Sequence, residues 1–222
     1  YGLILLLIVG LMMLEPHMSG TILILAGAAA VLFAAGIKLY WFAGGGAALM
    51  GLVVLMMSGY QSTRILVWQD PWAYPRDGGY QIIQSLYAIG SGGLLGLGLG
   101  KSRQKFLYLP EPENDFIFAI VCEELGLIGA GIVLFLFALL VMRGYWIAIH
   151  ARDRFGALLV VGITTLTAVQ VFLNISVVTN LIPTTGISLP FFSYGGTALM
   201  IQLAEMGIIL SVSRQIPAPR QE

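Results

Sequence analysis

Charge is what this 222-residue sequence has least of. Lys, Arg, Asp and Glu make up only 10% of the chain, against roughly 25% in a soluble globular domain, whose surface must be solvated. That shortage excludes a water-soluble globule. Neither sign is in excess: eleven basic side chains stand against eleven acidic ones, for a formal net charge of zero. With no basic bias, no nucleic-acid partner is expected, and no like-charge run is present to act as an interaction tail. Cysteine is nearly absent as well, and the single Cys122 excludes an intrachain disulfide. Only His17 and His150 are present and no His-Glu-x-x-His string exists, which disfavours an intramembrane metalloprotease. The chain opens on Tyr1-Gly2-Leu3 with neither Met nor a basic leader, so it is expected to be a fragment beginning inside or beside a membrane span.

What fills the sequence instead is apolar: 58% of positions are hydrophobic and the mean hydropathy is +0.90. A helix needs about 20 apolar residues to cross the hydrocarbon core. Six segments are candidates: 2–14 (shortened), 21–37, 39–57, 116–141, 155–178 and 191–212. None alternates apolar with polar residues, which argues against a membrane barrel. The expected fold is therefore an all-α polytopic membrane protein, a single transmembrane domain over 1–222 with six transmembrane helices. Basic residues crowd the short connections: Lys38, then Arg143, Arg152 and Arg154, then Arg214 and Arg220. The positive-inside rule puts those connections in the cytoplasm and the long stretch 58–115 outside.

That stretch carries Trp68, Trp72, Tyr74, Tyr80, Tyr87, Phe106 and Tyr108, which suit a membrane interface. With the glycine series Gly90, Gly92, Gly93, Gly96, Gly98 and Gly100, it reads as an extracytoplasmic loop with interfacial or re-entrant short helices. A plain connector with aromatic anchors is the alternative. The loop ends in the densest ionic cluster of the chain: Lys101, Arg103 and Lys105, then Glu111, Glu113 and Asp115 at the mouth of a helix. Cations there suit a phosphate or pyrophosphate, and a carboxylate beside them suits general-base work or a divalent ion. Asp115 equally suits a helix N-cap. Glu123 and Glu124 follow within the same apolar segment, where acids are costly and by default functional, and Glu205 is a similar case. Gln170 and Asn174, at i and i+4, share a helix face and read as structural hydrogen-bonding glue.

Several strings resemble a known family. These are Tyr80-Gln81-Ile82-Ile83-Gln84-Ser85 with the glycine series, Ser102-Arg103-Gln104-Lys105, and Leu109-Pro110-Glu111. Asp115-Phe116-Ile117-Phe118-Ala119 with Glu123-Glu124-Leu125-Gly126 follows, and then Ile182-Pro183-Thr184-Thr185-Gly186-Ile187-Ser188-Leu189-Pro190-Phe191 with Ser193-Tyr194-Gly195-Gly196. Together they resemble the SEDS proteins of bacterial envelope growth, the FtsW and SpoVE branch more than RodA. Two departures are visible: Glu15-Pro16-His17-Met18-Ser19-Gly20 replaces a more usual Gln/Glu-Pro-Asp-x-Gly string, and Asn114 stands where Thr is commoner.

The resemblance implies the last six helices of a ten-helix fold in the bacterial cytoplasmic membrane. The activity it implies is a peptidoglycan glycosyltransferase that polymerises lipid II outside that membrane. Asp115 matches the family's essential acid and takes the role of general base, while Arg103, Lys105, Glu111, Glu123, Glu124 and Ser193 are expected to bind substrate. A divalent cation, Mg or Mn, is compatible with Asp115 but not required. The implied partners are lipid II, the undecaprenyl-linked glycan strand, membrane lipid and a class B penicillin-binding protein transpeptidase. Two other classes stay in view: a lipid II flippase, using the intramembrane acids as a polar path, and a scaffold that only recruits the transpeptidase.

Overall fold

The computed structural model describes residues 2–14, 18–42, 44–46, 59–76, 78–107 and 113–216. Among them all regular structure is helical: α1 (Gly2–Leu14), α2 (Met18–Ala34), α3 (Gly59–Gln69), α4 (Gly79–Gly92), α5 (Gln104–Leu107), α6 (Ile117–His150), α7 (Arg154–Val178) and α8 (Gly196–Ser213). Of the described helices, α6, α7 and α8 are long and apolar enough to cross a membrane, and Gly20–Ala34 is a shorter apolar helix. The chain is a multi-pass membrane protein. The candidate span 39–57 falls largely outside the described residues, although 39–42 and 44–46 are helical. The outward side chains of α6, among them Leu127, Ile132, Phe135, Leu136 and Met142, are apolar and exposed, as a lipid-facing surface requires.

Three boundaries differ from the expected ones. Helix α6 runs on to His150, although Arg143 reads as the end of a span. Arg143 lies in the helix with its guanidinium 4.1 Å from the centre of the Trp146 ring, which itself stacks on His150. A long cationic side chain folded over an aromatic neighbour is tolerated where a bare charge is not. Helix α8 starts at Gly196 instead of 191, because residues 191–195 are spent in a turn in which Phe191 has φ of 65°. The third difference is internal: α6 is broken at Gly126, whose φ of 67° and ψ of −171° are not helical. The stretch 58–115 holds α3, α4 and α5 instead of a bare connector.

Contacts group the chain into two compact units. One comprises Tyr1–Leu55, Ala138–Val169 and Gly196–Glu222, and the other Met56–Phe137 and Gln170–Gly195. The first is held by apolar packing. Ile147, Ala148, Val160, Ile163, Ile209 and Val212 form its buried cluster. Gly162 faces Val31 and Gly27 faces Leu166, small residues that let α2 and α7 approach closely. An apolar groove of about 410 Å³ lies over this packing, lined by Ile4, Leu5, Ile24, Leu32 and Leu166 among others. The turn before α7 is closed by Asp153, whose Oδ2 accepts from Gly156 N–H at 2.8 Å as an N-cap.

Candidate active site

The second unit contains every residue of the ionic cluster that the structure describes; Glu111 lies outside the described residues. Asp115 sits in the turn 113–116 that leads into α6. Its main chain is pinned from α7: Asn174 Nδ2 donates to Asp115 O at 2.7 Å and to Ile187 O at 2.7 Å. Asn174 is 1% exposed, so these bonds form out of water and hold two segments in fixed register. Gln170, one turn earlier on the same face, donates to Ser188 Oγ at 3.4 Å. The expected glue therefore binds the loop 182–188 and the turn of Asp115.

The loop after α7 wraps the same turn. Ser193 Oγ–H donates to Asn114 O at 2.7 Å and accepts from Leu189 N–H at 2.7 Å, and Tyr194 N–H donates to Glu113 O at 2.8 Å. Ser193 thus acts on the backbone of the turn. Beneath the carboxylate lies Gly186, with φ of 73°; a Cβ placed there would come within 3.5 Å of Asp115 Oδ2. Glycine answers the left-handed backbone; an added methyl group would meet the acid only at ordinary contact distance. Arg64 of α3 donates to Thr184 O at 3.0 Å, fixing the loop from its other side. Sequence reasoning missed Arg64 and Gly186; the Thr-Thr-Gly string was the available signal.

The cations divide. Lys105 is half-buried and pairs with Glu113 at 3.8 Å, two residues before Asp115. Arg103 is exposed, its side chain outward and its backbone held. What holds it is Glu123. That carboxylate, 1% exposed, accepts from Ser102 Oγ–H, from Arg103 N–H at 3.1 Å and from Gln104 N–H at 3.4 Å. Glu124 Oε1 accepts from Ser102 N–H at 3.4 Å. Both acids, expected among the substrate ligands, are turned onto the cationic loop. Glu205 is half-buried in α8, in the first unit. Among the described residues no three of His, Cys, Asp and Glu come together, so they form no cage for a divalent ion.

Immediately after the acid pair, the break at Gly126 releases backbone groups that an intact helix would join to one another. They pair with the glycine-rich segment instead. Leu97 N–H donates to Glu123 O and Gly98 N–H to Glu124 O, both at 3.0 Å. In return Leu127 N–H donates to Gly93 O at 2.9 Å and Ile128 N–H to Leu94 O at 3.2 Å. Two helical bonds are replaced by four loop bonds, which is how irregular backbone is satisfied at membrane depth.

A multi-pass helical protein whose broken span and buried polar contacts fix an acid-and-cation turn is a membrane protein built around a polar site. The chain belongs to the FtsW, RodA and SpoVE family, whose profile, described as "Cell cycle protein", matches residues 1–217. It is 50% identical over 206 residues to stage V sporulation protein E of Bacillus subtilis, covering 92% of this chain and 56% of that protein. It is 44% identical over 218 residues to a probable peptidoglycan glycosyltransferase FtsW of Geobacter sp. strain M18, covering 97% and 59%. Its fold is similar to a chain in a solved peptidoglycan synthase complex (TM-score 0.77, 32% identity, 96% of this chain and 60% of that one). It is also similar to the rod shape determining protein RodA of Thermus thermophilus (TM-score 0.63, 29% identity, 100% and 56%). The chain thus spans little more than half the length of these proteins.

Proposed function

We propose that this chain carries the catalytic turn of a peptidoglycan glycosyltransferase, which polymerises lipid II at the outer face of the bacterial cytoplasmic membrane. The observation that carries the reading is the Asp115 turn, fixed by Asn174, Ser193 and Tyr194 beside an ion-paired lysine. Asp115 is the general base: it takes the proton of the acceptor sugar hydroxyl as that oxygen attacks the donor's anomeric carbon. The bond from that carbon to the lipid pyrophosphate breaks, and the electron pair leaves with the phosphate oxygen. Lys105 and Arg103 offset the charge that develops there. Lys105 already faces one anion, Glu113, so an arriving pyrophosphate competes for a charge the site holds in place.

A class B penicillin-binding protein is the expected partner, by similarity to the synthase complex. A flippase would use Glu123 and Glu124 as a polar path; both are engaged by loop N–H groups, which supports a fixed scaffold instead. The test is lipid II polymerisation by the full-length protein with and without Asp115→Ala. Loss of glycan product is expected, and wild-type product lengths and rates would overturn the reading. Sidedness is checked with single cysteines at Gln69 and Asp153 in a background lacking Cys122. They should label from opposite faces, Gln69 from outside.

A further inference from the structure

Four successive main-chain donors, the N–H groups of residues 102 to 105, all find acceptors within one small cluster. Glu124 takes the first, the Glu123 carboxylate the second and third, and Ser102 Oγ the fourth at 3.0 Å. Ser102 is itself 3% exposed and donates its own hydroxyl proton to Glu123. A run of converging N–H groups is a natural anion seat. Here a buried carboxylate from α6 occupies it. The backbone carbonyls of the same two glutamates accept from Leu97 and Gly98, earlier in the same loop. The acid pair therefore grips the chain at two levels, through its main chain at 97–98 and through its side chains at 102–104.

We propose that Glu123 and Glu124 are positioning residues: they clamp the cationic loop 101–105 to the broken helix α6, so that Arg103 and Lys105 keep a fixed place relative to the turn of Asp115. This rests on the assignment of that turn to catalysis. The helix break completes the clamp. Without it the carbonyls of Glu123 and Glu124 would be spent inside α6, and the side chains alone would hold the loop. Gly126 has a backbone conformation open essentially to glycine alone, and a Cβ there would lie 2.6 Å from Leu94 O, so an added methyl group opens the same clamp from its other end. The acids touch no substrate; they act through the backbone of residues that do.

The experiment uses the full-length protein in lipid nanodiscs, with Glu123→Gln, Glu123→Ala and Ser102→Ala. Amide hydrogen exchange of the segment 97–107 is measured beside lipid II polymerisation, with helix content as the check on folding. Exchange at 102–105 is expected to rise roughly tenfold or more in Glu123→Ala, less in Ser102→Ala, and least in Glu123→Gln, which keeps one acceptor oxygen. In the same folded variants kcat should fall in that order while KM changes less, because the loop is present but out of register. Unchanged exchange in folded Glu123→Ala overturns the clamp. Faster exchange with wild-type kcat overturns its service to the reaction. If the wild-type protein makes no glycan, the catalytic reading fails by itself, and the exchange result still decides whether the clamp exists.

Discussion

In the unit that contains 138–169 and 196–222, Ile147, Val160, Ile163, Ile209 and Val212 meet through apolar surface. In the unit that contains 56–137 and 170–195, irregular stretches are tied by polar side chains to main-chain groups. Trp68 Nε1–H bonds to Asn180 O, Ser85 Oγ–H to Val178 O, Asn174 to two carbonyls, and Ser193 and Glu123 to loop backbone. Apolar contacts are individually weak and forgiving of small displacements. Hydrogen bonds in a low-dielectric setting are directional, and costly when broken. The first kind of packing is enough to keep helices together in lipid. The second fixes the position of a turn, which is what an acid that must meet one proton requires.

The contrast breaks most sharply at Asp115. Asp115→Asn should lower polymerisation by about 10²–10⁴-fold, the usual worth of a general base, while the thermal midpoint stays near wild type. Purified variant turning over at the wild-type rate would reduce Asp115 to one more member of the hydrogen-bonded frame. Next comes Lys105→Ala, for which a loss of roughly ten- to hundredfold in turnover matches one charge-assisted hydrogen bond. Lys105→Arg should lose much less, since charge matters first; equal rates for wild type and both variants would remove Lys105 from the site.

Two further substitutions set the units side by side. Asn174→Ala takes the Asn174 donor from the carbonyls of Asp115 and Ile187, at about 1–3 kcal/mol for the buried Ile187 bond and less for the part-buried one, and should slow turnover as well as lower the melting midpoint. Ile163→Val, in the apolar cluster, should cost only about 0.5–1.5 kcal/mol and leave turnover per folded molecule unchanged. Melting curves and rates on the same preparations compare them. An equal effect on turnover would erase the distinction between the two kinds of packing.

Where the sequence was readable, it was readable for the same physical reasons. The run 155–178 announces α7 within one residue, because an uncharged stretch of that length has few other solutions and Asp153 caps its start. The end of α6 was misplaced because a rule that counts charges does not see Arg143 folding onto Trp146. The break at Gly126 was invisible for a different reason: one glycine in an apolar run looks like any other small residue in a span. Its partner segment lies some thirty residues earlier in the chain, and nothing local links them. Glu123 and Glu124 stood out as acids too costly to be idle, but cost alone does not say whether an acid faces a substrate or its own loop. Asp115 was marked first by its ionic cluster at a helix mouth and then by the family resemblance, Ser193 by the resemblance alone, and the structure adds the atoms that tie both into the turn.

Gly96 and Gly126 constrain each other's future. A methyl group on Gly126 would lie 2.6 Å from Leu94 O beside the Gly96 segment, and one on Gly96 would lie 2.6 Å from Gly126 N. Each position is closed by the other's main chain, so no change of side chain at one makes room at the other. Most packed pairs can drift, a larger residue on one side answered by a smaller one opposite. Here the smaller option is already taken on both sides. The pair has no route of compensation, and substitution at either one must be repaired by moving backbone or not at all.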